Sequence, residues 1–298
     1  MIGEEETPGY NPFDNAKDKK QVGKNSFDPF KIKESAYIDL DKTISHPPTA
    51  ISIGTYSYRG NEYPKPFGSY GDISCIVGPS KSKKTFFKSA VIAAYIGGNS
   101  INYFGNMVGH ESVGKYVIDI DTEQSRFHSQ RTFKRVQEMT GIKHELYKGF
   151  SLREYTPPER IEFIEWLLNE SEYSGNIGLV SIDGYADLVT DFNNIDQASE
   201  LSNKLMKWSS EQNCHVTGVL HRNFGTQKPV GHVGSFILKK AETVVFVESD
   251  QETGFAKVTC EYSRNIPFED IDFGIDKEHL PYRITDVVEK ITNNAAPF

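Results

Sequence analysis

Short, mostly apolar runs recur between residues 72 and 221 and are separated by polar or glycine-containing segments. These runs predict strands over 72–78, 115–120, 146–152, 177–183 and 215–221. Strands that are apolar on both faces are typical of a parallel sheet that is covered by helices on its two sides.

The segments between these runs have the composition and spacing of helices. Helices are predicted over 85–96 and 125–139, from Thr156 through the segment ERIEFIEWLLNES, and over 196–212. Thr156 is a suitable N-cap, and the two prolines after it suit a first helical turn. The alternation predicts an α/β fold with a mostly parallel central sheet flanked by helices.

The two ends of the chain depart from this alternation. Segment 51–71 is β-rich and interrupted by Gly and Pro, which predicts a short hairpin or an irregular lead-in. After residue 242 three β-rich runs predict antiparallel hairpin strands. We therefore expect a core over 49–280 and a C-terminal tail over 281–298. Residues 1–48 contain few apolar positions, so we expect a flexible or partner-docking arm.

The composition is ordinary for a globular protein, with 37% hydrophobic and 25% charged residues among 298. No apolar run approaches the roughly 18 residues of a membrane span, and the polar N-terminus does not resemble a signal peptide, so we expect a cytoplasmic protein with no membrane partner. The three cysteines lie far apart in apolar runs and are expected in the core. A net charge of −8 requires any contact with nucleic acid to use a local patch.

The segment GPSKSKKT, residues 78–85, resembles the phosphate-binding loop pattern G-x-x-x-x-G-K-[ST]. Gly78, Lys84 and Thr85 fit the pattern, whereas Lys83 occupies the position of the second glycine. A strand, a loop of small residues and a helix that begins at Lys84 would surround a phosphate with backbone N–H groups. A basic surface turn is the alternative interpretation.

Carboxylates follow two of the other predicted strands. Glu123 follows strand 115–120 and is a candidate general base, and Asp183 ends strand 177–183 and is a candidate Mg²⁺ ligand. Both would lie at the carboxyl edge of a parallel sheet, where ligands bind. The alternative for Asp121 and Glu123 is that they only favour the start of a helix.

These segments together resemble the successive motifs of the RecA-like ATPases, which include RecA and RadA recombinases and DnaB-type helicases. The resemblance is carried by GPSKSKKT, VIDIDTEQSRFHSQR, GLVSIDG, VTGVLHRN and GHVGSFILKKAETVVFVE, in that order. The variant loop is similar to that of a RepA-like branch in phages and mobile elements. The resemblance covers about residues 50–276.

The resemblance implies that ATP and Mg²⁺ are bound, with Thr85 and Asp183 at the metal and Glu123 and Lys84 in catalysis. The residues around the phosphates would be Gly78, Pro79, Ser80, Lys81, Ser82, Lys83, Lys84 and Thr85. His221 matches the position of a glutamine that senses the γ-phosphate in relatives, although a histidine bonded to backbone is the alternative.

The resemblance also implies a homo-oligomeric ring or filament. Arg264 aligns with an arginine that reaches the ATP of the adjacent subunit in DnaB-type rings, but Tyr262 replaces a lysine found two residues earlier in relatives. Lys239 and Lys240 are alternative cations of this kind, and the other interpretation of that pair is a solvated face.

The two loops that follow strands 177–183 and 215–221 line the channel for single-stranded DNA in the family. The first loop is acidic, and the second supplies the DNA-binding candidates Arg222, Phe224, Lys228 and His232. We therefore expect an ATPase that acts on single-stranded DNA in phage or mobile-element replication or recombination, in a helicase-like or recombinase-like role. Other replication or recombination proteins would bind through the N-terminal arm. The alternative function is a nucleotide-switched scaffold or loader with little motor activity.

Overall fold

The structure is a computed structural model that describes residues 27–97, 104–222 and 231–285. The chain divides into two compact units, Met1–His46 and Pro47–Phe298. In the first unit, helix α1 (Pro29–Ala36) begins after Asp28, whose carboxylate accepts hydrogen bonds from the backbone N–H groups of Phe30 and Lys31. No residue of α1 is buried.

The second unit contains strands and helices that alternate along the chain. The described strands are β1 (Thr49–Tyr58), β2 (Asn61–Ser69), β3 (Ile73–Gly78), β4 (Met107–Gly109), β5 (Tyr116–Asp121), β6 (Tyr147–Ser151), β7 (Ile177–Asp183), β8 (His215–His221), β9 (Thr243–Ser249), β10 (Ala256–Ser263), β11 (Ile271–Ile275) and β12 (Pro281–Arg283). The described helices are α2 (Lys84–Gly97), α3 (Arg126–Thr140), α4 (Pro157–Asn169), α5 (Ile195–Gln212), α6 (Gly231–Lys240) and a short 3₁₀ helix (Tyr185–Leu188).

Most strands form one sheet with the order β12-β11-β10-β9-β3-β8-β7-β5-β6. The six strands from β9 to β6 in this order are mutually parallel, and β10, β11 and β12 extend the sheet antiparallel. A separate sheet of order β2-β1-β4 contains the hairpin predicted before residue 72. The predicted α/β fold, with its mostly parallel sheet and antiparallel C-terminal strands, is confirmed.

The central strand β3 packs against helices on both sides, as alternation of its side chains requires. Ile76 lies in the cluster that contains Phe87 of α2, whereas Cys75 and Val77 lie in the cluster that contains Leu205 of α5. Each large apolar side chain of this kind contributes about 1.5–3 kcal/mol when fully buried. The packing on both faces therefore fixes the position of β3 and of the loop that follows it. Of the cysteines, Cys75 and Cys214 are buried as predicted, but Cys260 on β10 is only half-buried.

Some elements were not predicted from the sequence. Strand β4 is only three residues long and forms by pairing with β1, so its own sequence contains little signal. Helix α6 begins with a glycine, which is a weak helix former. Within the described residues, no helix combines the length and the apolar character that a membrane span requires.

Candidate nucleotide-binding site

The residues predicted to bind ATP and activate water within one chain meet at the carboxyl edge of the sheet. Strands β3 and β8 end in register at Gly78 and His221, and β5 and β7 end in register at Asp121 and Asp183. Since these four strands are parallel and adjacent, every one of them delivers its last residue to the same edge. Loops after such strands are where α/β proteins bind ligands.

The loop between β3 and α2 has the backbone of a phosphate cradle. A side chain at Gly78 would place its Cβ 2.2 Å from the backbone oxygen of Val247, so only glycine fits there. Lys81 and Lys83 adopt left-handed φ angles of 62° and 70°. That conformation favours glycine, which explains why the loop pattern has glycine at the position of Lys83.

The Lys83 side chain is engaged outside the loop. Its amine donates a hydrogen bond to the backbone oxygen of Gly254, in the turn between β9 and β10. Desolvation lowers the pKa of Lys83. The lysine that replaces the glycine thus ties the phosphate loop to a neighbouring hairpin.

Lys84 begins α2 and is buried at the edge of the loop. Its amine donates to the backbone oxygen of Pro79 at 2.6 Å. Burial lowers the pKa of Lys84 to about 8, and Asp183 and Glu123 only partly oppose this effect. A desolvated cation beside a helix N-terminus favours an anion such as phosphate.

An open cleft of about 530 Å³ lies above the loop. It is lined by Ser80, Lys81, Ser82, Lys83, Lys84, Thr85, Phe86, Glu123, Gln124, Thr132, Arg135, Asp183, Val219 and His221. The buried Ser82 hydroxyl in this lining has no hydrogen-bond partner. The cleft therefore contains a polar group that a ligand could satisfy.

Glu123 faces His221 across the cleft. Its Oε2 lies 3.2 Å from Nε2 of His221, and this hydrogen bond lowers the pKa of Glu123. The Glu123 side chain is 53% exposed, so it can reach a water molecule in the cleft.

Asp121 stabilises the turn that contains Glu123. Its Oδ1 accepts hydrogen bonds from the backbone N–H groups of Glu123 and Gln124, at 3.0 and 2.8 Å.

The residues around Thr85 and Asp183 suit a magnesium ion bound together with phosphate. Thr85 is the second residue of α2, and Asp183 lines the same cleft with a buried carboxylate whose Oδ2 lies 3.3 Å from the Lys88 amine. Within the described chain no cluster of three or more His, Cys, Asp or Glu side chains is placed to hold a metal. Magnesium in phosphate sites needs only one or two carboxylates in addition to substrate oxygens, so the two residues fit.

Lys88 is a buried residue beside the site that the sequence analysis missed. Its amine lies 3.0 Å from Oδ1 of Asp119 and 3.3 Å from Oδ2 of Asp183, and the Tyr147 hydroxyl donates to Asp119 at 2.8 Å. Burial opposes the charge of Lys88, but Asp119 and then Asp183 raise its pKa, so it is a cation. The sequence does contain a signal for this residue, because Lys88 is a lysine one turn after Lys84 in a mostly apolar helix.

Arg135 on α3 is a second missed residue in the cleft lining. It belongs to the buried face of α3 together with Thr132, Val136 and Met139. A cation in the middle of a buried helix face is a signal that the sequence offers, but its position beside the cleft follows only from the packing of α3 against α2.

Arg264 lies at the opposite edge of the sheet. Its guanidinium donates to the backbone oxygen of Lys240 at 2.7 Å and lies 3.7 Å from a carboxylate oxygen of Asp72, which precedes β3. It is therefore one strand length away from the cleft of its own chain. Lys240 ends α6 at the same edge, and Lys239 before it contacts the ring of Phe236. A role for any of these cations in the site of an adjacent subunit stays a prediction.

The DNA-binding candidates are only partly described. Arg222 forms an ion pair with Glu248 of β9, and His232 is exposed in the first turn of α6. Phe224 and Lys228 lie outside the described residues. In the acidic first loop, Asp187 accepts a hydrogen bond from the Thr122 hydroxyl at 2.9 Å.

Comparison with known proteins finds no family model that matches the chain and no curated protein that is similar to it. What supports a function is therefore the geometry of the cleft together with the order of its motifs.

Proposed function

We propose that this chain is a RecA-like P-loop ATPase that binds ATP with Mg²⁺ and hydrolyses it. One observation carries the proposal: the loop 78–85 and Glu123, which come from different strands, line one cleft at the carboxyl edge of a parallel sheet. A phosphate cradle that faces a carboxylate is the arrangement that phosphoryl transfer to water requires.

Binding would use the loop and the start of α2. Backbone N–H groups and the helix N-terminus surround the phosphates, and Lys84 exchanges its bond to the Pro79 oxygen for phosphate oxygens. Thr85 and Asp183 would hold Mg²⁺, which neutralises charge on the β- and γ-phosphates when it is bound.

Catalysis would use Glu123 on the opposite wall. Its carboxylate accepts a proton from the attacking water, whose oxygen bonds to the γ-phosphorus as the bond to the ADP oxygen breaks. The products are ADP and inorganic phosphate. His221, which is hydrogen-bonded to Glu123, would sense the γ-phosphate in this mechanism.

The wider role follows the motif order. We propose a ring or filament in which Arg264 completes the site of an adjacent subunit, and in which hydrolysis is coupled to single-stranded DNA in replication or recombination of a phage or mobile element. Arg264 lies at the opposite edge of the sheet from the cleft of its own chain and its side chain is half exposed, so this role requires a second chain.

A second candidate is a nucleotide-switched scaffold or loader with little turnover. It is favoured by the ion pair of Arg222 with Glu248 and by the acidic first loop, since both reduce the positive charge available to a DNA backbone. ATP would then act by changing conformation rather than by driving movement.

ATP turnover by the wild type beside Glu123→Gln tests the proposal. The substitution removes the proton acceptor and keeps the shape, so we expect kcat to fall by about 10²–10⁴-fold while ATP binding is retained. Glu154→Gln, a change at an exposed glutamate in the loop before α4, is the control and should turn over like the wild type.

The assay also separates the candidates. Turnover per chain that rises with protein concentration and with single-stranded DNA supports the oligomeric ATPase. If wild type and Glu123→Gln bind ATP equally and neither hydrolyses it, the scaffold function replaces the ATPase. If wild type binds no ATP, both are wrong.

A further inference from the structure

Arg135 is a nearly buried cation in the wall of the cleft, with only 8% of its surface exposed. It lies on α3, which begins three residues after Glu123, and it contacts α2. Its guanidinium carbon is 3.8 Å from the centre of the Phe86 ring, and Nη1 donates to the Ser89 hydroxyl at 3.3 Å. Both partners belong to α2, the helix that begins with Lys84.

No ion pair between Arg135 and a carboxylate occurs in the described part of the chain. Removing a guanidinium from water without an anionic partner is unfavourable, and a ring face and one hydroxyl leave most of its five N–H donors without a strong acceptor. Burial and the neighbouring Arg131 lower the pKa of Arg135 to about 10, so it is still charged at neutral pH.

This arrangement contrasts with that of Lys88, a buried cation of α2. Lys88 is enclosed by carboxylates, with amine–oxygen distances of 3.0 and 3.3 Å to Asp119 and Asp183. Its charge is therefore balanced within the protein. Arg160, on α4, is balanced differently, because it donates to three backbone oxygens. Arg135 makes neither an ion pair nor a set of backbone hydrogen bonds in the described part of the chain, and it lines both the phosphate cleft and a second, smaller cleft beside Glu138.

We propose that Arg135 is a phosphate ligand supplied by the same chain, and that its guanidinium binds the polyphosphate of the nucleotide from the α3 wall of the cleft. This inference rests on the proposed function and names a contact within the same site. A planar guanidinium with a fixed fork of donors is well suited to phosphate oxygens, and stacking on Phe86 orients the fork before the ligand arrives.

Displacement of a fluorescent ATP analogue by ATP and by tripolyphosphate tests this contact. Tripolyphosphate has no base or ribose, so it reports on phosphate contacts alone. For Arg135→Gln we expect the affinity for both ligands to fall by a similar factor of about 10–100, the usual loss of a hydrogen bond to a charged group. Arg135→Lys should lose less, because the charge stays while the fork is lost.

Arg131→Gln is the matched control, since Arg131 is exposed one turn earlier on the same helix. It should bind both ligands within about twofold of the wild type, as expected for a screened surface charge. Thermal unfolding without ligand shows whether Arg135→Gln still folds. If it is destabilised, Arg135→Lys, which keeps the buried charge, provides the same comparison.

The outcomes distinguish the inference from the proposed function. Wild-type binding together with unchanged affinity of Arg135→Gln for tripolyphosphate overturns the phosphate contact and leaves the ATPase proposal standing. Loss of ATP affinity alone, with tripolyphosphate unaffected, assigns Arg135 to the base or ribose and also overturns the inference. If the wild type binds neither ligand, both proposals fail.

Discussion

Lys83 shows how a single residue alters a phosphate loop without removing its shape. It adopts the left-handed φ of 70° that glycine would adopt, and its amine is bonded to the oxygen of Gly254. The position of the loop could be predicted from Gly78, Lys84 and Thr85, because the loop pattern consists of residues that are close together in the sequence. The sequence could not show the direction of the Lys83 side chain, since the acceptor lies 171 residues further along the chain.

Lys83→Gly should therefore leave the ATP affinity within about threefold of the wild type. The substitution removes backbone strain of roughly 1–2 kcal/mol and loses one hydrogen bond of about 1 kcal/mol, so the free energy of unfolding should change little. Equilibrium titration with ATP measures the first quantity and urea unfolding the second.

Lys83→Met is the matched variant, because it keeps the strained backbone and removes only the amine. Both variants should increase hydrogen exchange in the turn between β9 and β10, which loses its link to the loop. A tenfold or greater loss of ATP affinity in both variants would instead show that the amine contacts nucleotide.

At the scale of elements, the strands could be predicted from the sequence, but the partners of the buried cations Lys88 and Arg135 could not. The apolar runs located β3, β5, β6, β7 and β8, because a buried parallel strand must be apolar on both faces. Lys88 could not be interpreted from its own helix, since its partners Asp119 and Asp183 lie on β5 and β7. The same holds for Arg135, whose place in the cleft depends on how α3 packs against α2.

Lys88→Met should destabilise the fold by about 3–5 kcal/mol, because it leaves the buried Asp119 without its cation. Urea unfolding of the two proteins measures the difference in the free energy of unfolding. Adding Asp119→Asn to Lys88→Met should recover part of the loss, since the uncompensated charge is then removed.

Lys207→Met is the control for this prediction. Lys207 forms an exposed pair with Glu211 on α5, at 3.7 Å, and such pairs contribute about 0.3–0.5 kcal/mol. If Lys88→Met lowered the free energy of unfolding by less than about 1 kcal/mol, the result would contradict this prediction. The ion pairs of Lys88 with Asp119 and Asp183 would then contribute little to the packing of α2 on β5 and β7.

At the scale of the whole molecule, the two edges of the sheet present different sets of polar and charged residues. The carboxyl edge presents the loop 78–85, Glu123 and His221, and the amino edge presents Arg264 beside Asp72. The motif order predicted that all of these residues belong to one mechanism. Only the topology shows that Arg264 lies at the other edge of the sheet from the cleft of its own chain, so its proposed catalytic role requires a second chain.

The central claim is that the cleft binds ATP through Lys84. With the pKa of Lys84 lowered to about 8 by burial, most chains have a neutral Lys84 at pH 8.5. Bound phosphate favours the cation and raises this pKa, so binding takes up a proton above pH 8 and the affinity falls as the pH rises further.

The most direct test is calorimetric titration of wild type and Lys84→Met with Mg²⁺-ATP at pH 8.5, in two buffers with different ionisation enthalpies. We predict saturable binding by the wild type with net uptake of protons. We predict at least a tenfold weaker affinity and no proton uptake for Lys84→Met, which keeps the volume of the side chain but not its charge. Absence of binding by the wild type, or equal affinity and proton uptake in both proteins, would contradict the account.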